Sequence, residues 1–183
     1  MLFATGAWPL EIARIEVRDY LHPDGSVRRE SELRAEAAIT GRPRPLFFAS
    51  SKLDDALNAY LRVRLESRQG LGFASASRGL DPESRLFLTA TGCGFEITPY
   101  GEPGQHRFLC RPILETYRKL FRYADVEGAT ALSVRHTVVA RLYERGADEE
   151  QIGLVLGISD RSAVRGLFTR IRPPMARLVD ELI

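Results

Sequence analysis

The chain has 183 residues, of which 44% are hydrophobic and 27% are charged, and these values are typical of a globular domain and argue against disorder. The formal net charge of +2 is too small to establish a nucleic-acid partner, and no apolar run is long enough to span a membrane. Cys93 and Cys110 have neither metal-ligand nor disulfide spacing, and residues 1–10 contain no secretory leader, so we expect a cytoplasmic protein with no metal and no cofactor.

An amphipathic helix is predicted near the start of the chain. Apolar residues recur at helical spacing between Leu10 and Val17, and Pro9 suits a first helical turn. A turn at 22–25 and a Gly-Pro break at 41–45 then favour a small antiparallel sheet. The two predicted strands lie near 33–40 and 45–49.

A second helix and a long loop are predicted for the middle of the chain. A stripe of apolar residues predicts a helix over 51–66, with Ser50 or Ser51 as its N-terminal cap. Residues 67–107 hold much of the Gly, Pro and Ser, which predicts a surface loop interrupted by one buried β segment at 85–88.

From residue 108 onward the pattern predicts helices. In the second of them an apolar stripe extends to Tyr143, and Gly146 is placed to end that helix. Asp148 and Gln151 have the spacing of a capping box, which predicts the start of the next helix. Gly157 is placed to end that helix. The predicted helices span 110–123, 132–145, 148–157, a segment from 159 or 160 to about 170, and 175–183.

Five short motifs occur in order along this sequence. They are Ala4-Thr5-Gly6 with Glu11-Ile12, the stretch 46–61, Arg85-Leu86-Phe87, Arg135-His136-Thr137, and Leu156-Gly157. Together with the order of the elements, they resemble the catalytic domain of the tyrosine recombinases, the phage integrases and Xer-like enzymes. The resemblance implies an α+β, mainly α fold over residues 1–183, a helical bundle with a small antiparallel β-sheet.

The resemblance also implies a catalytic set that this sequence mostly lacks. In the family a tyrosine hydroxyl attacks a DNA phosphodiester, two arginines stabilise the phosphate charge, and a lysine and a histidine transfer protons. Only the second arginine is retained, as Arg135, and no lysine lies near 40–42. The lost positions are Trp8 for the first arginine, Leu132 for the first histidine, Ile158 for the later histidine or tryptophan, and Phe168 or Leu167 for the nucleophile.

These substitutions predict a protein without the ancestral activity. Loss of one pocket donor typically lowers the rate about a hundredfold or more, and here at least four roles are lost together. We therefore expect a catalytically inactive DNA-binding protein, a regulator or accessory factor of DNA recombination and integration on a mobile element or plasmid. Two alternatives remain open: an active, divergent site-specific recombinase, and a protein-interaction module that has lost DNA binding.

Arginines are the candidate DNA contacts. Only Lys52 and Lys119 among the 26 cationic residues are lysine, which leaves 24 arginines, although a GC-rich genome would produce the same bias. Residues 148–171 also resemble a helix-turn-helix segment, whereas paired helices with a Gly turn are common for packing reasons alone. The expected partners are double-stranded DNA and either a second copy of the chain or an active recombinase. The candidate contacts are Arg42, Arg44, Arg135, His136, Arg161 and Arg165.

Arg135 and His136 each have a structural interpretation as well. Arg135 could pair with a carboxylate in a degenerate pocket, and His136 could pack beside the core. The chain starts at the family's opening helix, so we expect the amino-terminal domain that completes the family's DNA clamp to be missing. Residues 175–183 occupy the position by which subunits of the family exchange contacts, or they dock on their own chain.

Overall fold

The computed structural model describes residues 1–72, 76–102, 107–126 and 128–169, with side chains through residue 167. The helix predicted for 175–183 lies outside these residues. The helices are α1 (Leu2–Thr5), α2 (Pro9–Arg14), α3 (Val17–Tyr20), α4 (Ser51–Glu66), α5 (Arg111–Tyr123), α6 (Ala131–Glu144), α7 (Glu149–Leu156) and α8 (Arg161–Thr169). The strands are β1 (Glu30–Leu33), β2 (Arg44–Phe47), β3 (Thr98–Tyr100) and β4 (Arg107–Leu109).

Five of the predicted helices, from the one over 51–66 to the one that starts at 159 or 160, are confirmed as α4 to α8. Ser50 caps α4, because its side chain accepts a hydrogen bond from the backbone of Leu53. Asp148 and Gln151 form the predicted capping box at the start of α7. Gly157 ends α7 with φ of 69°, a left-handed conformation that favours glycine.

The single helix predicted between Leu10 and Val17 is wrong, because the chain leaves the helix after Arg14. Ile15 and Glu16 are extended. The carbonyl of Ile15 accepts a hydrogen bond from Leu86 N, at 2.8 Å, and Glu16 forms a β-bridge with Arg85. The pairing of residues 15 and 16 with residues 85 and 86 therefore divides the predicted helix into the two short helices α2 and α3.

The first predicted strand is displaced along the chain. Strand β1 ends at Leu33, and residues 34–41 form turns in place of the predicted strand over 33–40. Arg34 leaves the sheet to form ion pairs of 2.9 Å with both Asp19 and Glu16. The second predicted strand is confirmed as β2, which pairs antiparallel with β1.

The segment predicted as a loop contains a second sheet. Strands β3 and β4 pair antiparallel, with Tyr100 opposite Arg107. The predicted β segment at 85–88 is reduced to isolated bridges, although Leu86 is fully buried as expected. The chain is therefore mainly helical with two small antiparallel sheets, which confirms the predicted fold class.

The buried apolar residues fall into two clusters that meet along α6. The larger cluster includes residues of α1 to α5, and α6 contributes Val134 to it. The smaller cluster is formed by one face of α6 with α7 and α8; its buried members are Val138, Val139, Ile152, Leu156 and Val164. Tyr143, predicted to continue the apolar stripe of α6, is instead 59% exposed.

In the described part of the chain, each helix is too short or too polar to cross a membrane.

Candidate functional site

Arg135 lies at the junction of the two apolar clusters. It is one turn into α6 and only 4% exposed. Its Nη1 donates a hydrogen bond to the carbonyl oxygen of Gly6, and its Nη2 donates to that of Leu156, at 3.0 Å. The guanidinium therefore connects the end of α1 to the end of α7.

Gly6 is required for this connection. Its φ is 62°, and a Cβ at this position would lie 2.6 Å from a methyl carbon of Leu156. A side chain at residue 6 would therefore be strained by both the backbone and its neighbour. The close approach places the Gly6 carbonyl within reach of Arg135.

Trp8 covers the Arg135 guanidinium. The guanidinium carbon lies 4.3 Å from the centre of the indole ring, which is the geometry of a cation–π contact. Burial is the main cause that lowers the pKa of Arg135 to about 10; the nearby Glu11 carboxylate opposes this shift, and Arg44 adds to it. A pKa of about 10 still leaves the guanidinium charged at neutral pH, so a buried cation is stabilised by an aromatic face and two carbonyls.

Glu11 and Arg44 form a buried ion pair beside Arg135. Arg44 Nη2 and a Glu11 carboxylate oxygen are 2.8 Å apart, and both side chains are less than 5% exposed. Glu11 also accepts hydrogen bonds from the backbone of Trp8 and of Ile39. Arg44 Nη1 donates to the carbonyl of Val155. Both groups therefore fix the segments that surround Arg135.

Gly157 leaves room for the Arg44 side chain. A Cβ on Gly157 would lie 2.8 Å from Arg44 Cδ. The glycine that ends α7 therefore also lets Arg44 pass to Val155. Arg44 Nε is buried and has no hydrogen-bond partner among the described residues.

Among the described side chains, no contact of the Arg135 guanidinium is recorded with predicted positions of the catalytic set other than Trp8. Leu132 is 48% exposed at the start of α6. Ile158 and Leu167 pack against the smaller cluster. Phe168 belongs to α8, and its side chain lies outside the described part of the structure.

His136 is adjacent to Arg135 but separate from its contacts. It is half-buried, and its Nε2 has no hydrogen-bond partner among the described residues.

Three of the arginines predicted to contact DNA are exposed, and two of these are already paired. Arg161 forms an ion pair of 2.7 Å with Glu150. Arg165 forms two hydrogen bonds, of 3.0 and 3.1 Å, with the carboxylate of Glu149. Arg42 is exposed, and no ion pair is recorded for it within the described ranges.

Arg42 and Arg161 border a shallow cleft of about 370 Å³ between the 40–44 turn and the helices α7 and α8. Arg42 and Arg161 on its rim are matched by Glu149 and Glu150, so the exposed charge of the cleft is balanced.

The prediction from sequence missed a cationic surface on α5. Its residues are exposed, and no partner is recorded for their charges among the described residues; they are Arg111, Arg118, Lys119 and Arg122. The helix carries no acidic residue in its first turn, and Glu115 is its only carboxylate. The sequence itself indicates this surface, because the four cations include pairs separated by three, four and seven residues, which places them on one side of a helix.

The described contacts of the Arg135 guanidinium contain no nucleophile and no proton-transfer group. They are the carbonyls of Gly6 and Leu156 and the ring of Trp8. Phosphoryl transfer requires donors directed at the oxygens where charge develops. Here both Nη atoms are directed at protein carbonyls. No group of three or more His, Cys, Asp or Glu side chains suited to a metal ion is found within the described ranges.

Solved structures share this arrangement of elements. The structure of the XerA recombinase matches 94% of this chain and 56% of its own, with 20% identity and a TM-score of 0.59. A structure of the Tn1549 transposon integrase, in complex with a circular intermediate DNA, matches 91% of this chain and 51% of its own, with 16% identity and a TM-score of 0.50. The chain thus spans about half the length of these proteins. No family model and no curated protein matches the sequence.

Proposed function

We propose that this chain, which has the fold of a tyrosine-recombinase catalytic domain, binds double-stranded DNA and does not cut it. The observation that carries the proposal is the Arg135 guanidinium, covered by Trp8 and bonded to two carbonyls. The cation that would stabilise a scissile phosphate instead stabilises the fold. Arg135 is only 4% exposed, so a phosphate could reach it only if side chains that cover it, Trp8 among them, moved aside.

The cationic face of α5 supports DNA binding. Four exposed cations on one helix are suited to phosphate oxygens, and each phosphate neutralised releases condensed counterions. Arg42 adds a further contact with DNA. Arg161 and Arg165 add two more if their ion pairs with Glu150 and Glu149 are exchanged for contacts with phosphate. In this proposal Arg44 and Arg135 do not touch DNA. They hold the backbone at Gly6 and at the last turn of α7.

The biological role follows from binding without cleavage. A single domain of this kind would occupy a recombination site in the cytoplasm as a regulator or accessory factor on a mobile element or plasmid. A second copy or an active recombinase would supply the additional contacts that a single face lacks.

The salt dependence of binding tests the proposal. Fluorescence anisotropy with labelled duplex DNA should show affinity falling about a hundredfold between about 50 and 200 mM salt, as expected for about four phosphate contacts. The double variant Arg118→Glu/Arg122→Glu should bind about tenfold or more weakly, with a salt slope lower by about two. Lys52→Glu/Arg62→Glu makes the same charge change on the exposed face of α4 and should have a much smaller effect.

The absence of cleavage is tested with nicked duplexes of randomised sequence. Neither the native chain nor Phe168→Tyr should form a covalent adduct on a denaturing gel, because Arg135 remains covered by Trp8 in both. An adduct with the native chain would establish the active, divergent recombinase instead.

A protein-interaction module is the second candidate, and the paired arginines favour it. Arg161 and Arg165 are each paired with a carboxylate, of Glu150 and Glu149 respectively. The rim of the cleft, with Arg42 and Arg161 against Glu149 and Glu150, is therefore balanced in charge. A flat anisotropy curve with duplex DNA at low salt would select this candidate.

A further inference from the structure

A cavity beside Trp8 is not explained by the proposed function. It has a volume of about 420 Å³ and lies between α2, the hairpin of β3 and β4, and the first turns of α5. This volume is within the range of sites for small molecules, roughly 300–1,000 Å³. Three aromatic and two cationic side chains line it; they are Trp8, Tyr100, Phe108, Arg14 and Arg107.

The aromatic side chains offer both rigid and accessible surface. Arg135 covers one face of Trp8, and the Arg14 guanidinium carbon lies 4.7 Å from the centre of the Phe108 ring. These contacts restrict the two rings. Phe108 is nonetheless 44% exposed and Tyr100 is 50% exposed, so both retain surface on which a flat apolar ligand can pack.

The charge of the cavity selects an anion. Its lining includes Arg14 and Arg107 and, among the described residues, no carboxylate. The adjoining start of α5 adds the positive end of a helix of 13 residues that has no acid in its first turn. Tyr100 and Arg107 are direct partners across the two strands, which places an aromatic ring and a cation side by side.

We infer that this cavity binds one unpaired nucleotide, with the base against the aromatic residues and the phosphate on Arg107 and Arg14. Every base has a π-face, so stacking on aromatic side chains tolerates any sequence. A base within an intact duplex cannot enter such a cavity, since both of its faces are covered by its neighbours. The ligand is therefore a free nucleotide or a nucleotide of a single strand, and the site does not depend on duplex binding.

The fluorescence of Trp8 tests the inference directly, because it is the only tryptophan of the chain. Deoxyadenosine monophosphate and a strand of ten deoxyadenosines should be titrated separately, with free tryptophan as the correction for absorbed light. Saturable quenching by both identifies a free-nucleotide site, and quenching by the strand alone identifies a single-strand site. No saturable quenching by either would overturn the inference. Inorganic phosphate, or the same strand annealed to its complement, should quench little, and equal quenching by either would overturn it as well.

Variants assign the quenching to the cavity. Arg107→Glu and Tyr100→Ala should each weaken binding of the quenching ligand roughly tenfold. Arg62→Glu, an exposed charge reversal on α4, should leave the affinity for that ligand unchanged, and equal weakening there would show general electrostatics and overturn the inference. Circular dichroism should show that all three variants are folded.

The two proposals fail separately. Arg118→Glu/Arg122→Glu should bind duplex DNA about tenfold or more weakly and retain quenching by deoxyadenosine monophosphate. Quenching in a native chain that does not bind duplex would refute the proposed function alone.

Discussion

Trp8 and Arg135 stabilise each other, and their contact gives the buried guanidinium a structural role. Trp8 stands at the position where the resemblance to recombinases implies a first arginine. Two arginines in one pocket repel each other unless an anion lies between them. An aromatic ring at this position adds no such repulsion, and it covers the Arg135 guanidinium, whose carbon lies 4.3 Å from the ring centre.

Removing the indole ring should therefore destabilise the fold. Trp8→Ala loses a half-buried aromatic side chain and a cation–π contact, and the free energy of unfolding should fall by about 2–3 kcal/mol. Trp8→Phe keeps an aromatic face and should lose about 1 kcal/mol or less. Urea unfolding followed by far-ultraviolet circular dichroism measures both, since neither variant retains a tryptophan. Equal losses in the two variants would mean that the contact with the guanidinium contributes nothing.

At the scale of elements, α7 and α8 are held together partly by charge. The first turn of α7 carries Glu149 and Glu150, which pair with Arg165 and Arg161 of α8. These carboxylates stabilise the amino-terminal end of α7 and at the same time neutralise two cations that could face phosphate. The same pairs therefore contribute to stability and oppose DNA binding.

Neutralising these two carboxylates should strengthen DNA binding. Glu149→Gln/Glu150→Gln keeps the side-chain lengths and removes the ion pairs of these two carboxylates with Arg165 and Arg161. The affinity for duplex DNA should rise roughly tenfold, and the salt slope should steepen by up to about two. Asp55→Asn/Glu66→Gln makes the same change in net charge on exposed positions of α4. If anisotropy shows the same gain in both double variants, net charge is responsible and the pairing is irrelevant.

For the whole molecule, two buried arginines connect the two apolar clusters. Arg135 bonds Gly6 on one side and Leu156 on the other. Arg44 bonds Glu11 on one side and Val155 on the other. Each arginine thus has one contact in the last turn of α7. Polar contacts as well as apolar packing therefore hold the smaller cluster against the larger one.

Cutting one of these connections should loosen α7 before the rest of the molecule. Arg135→Met keeps an unbranched but shorter side chain that cannot donate to either carbonyl, which leaves two buried acceptors without this donor. Hydrogen exchange of the amides of Ile152 and Leu156 should accelerate about tenfold or more, with a much smaller change for Leu57 and Leu61 in α4. Equal acceleration in both helices would show that Arg135 stabilises the fold globally.

The helices from α4 onward could be predicted from the sequence because caps and apolar periodicity depend on residues close together in the chain. The caps at Ser50 and Asp148, the glycine at 157 and the apolar periodicity of α4, α6 and α7 each act within one or two turns. The fold class followed from the order of these elements and of five short motifs, and the structure confirms it. The loss of the ancestral catalytic set rests on residue types alone and stays a prediction.

Tertiary structure decided what the remaining residues do. Arg135 contacts Gly6, which is 129 positions away, and no local pattern predicts that its cation points at carbonyls beneath Trp8. The break at Ile15 depends on pairing with Leu86, and the cavity beside Trp8 requires the hairpin of β3 and β4 to approach α2. Contacts between distant segments follow from packing of the whole chain, whereas propensities and caps depend only on neighbouring residues.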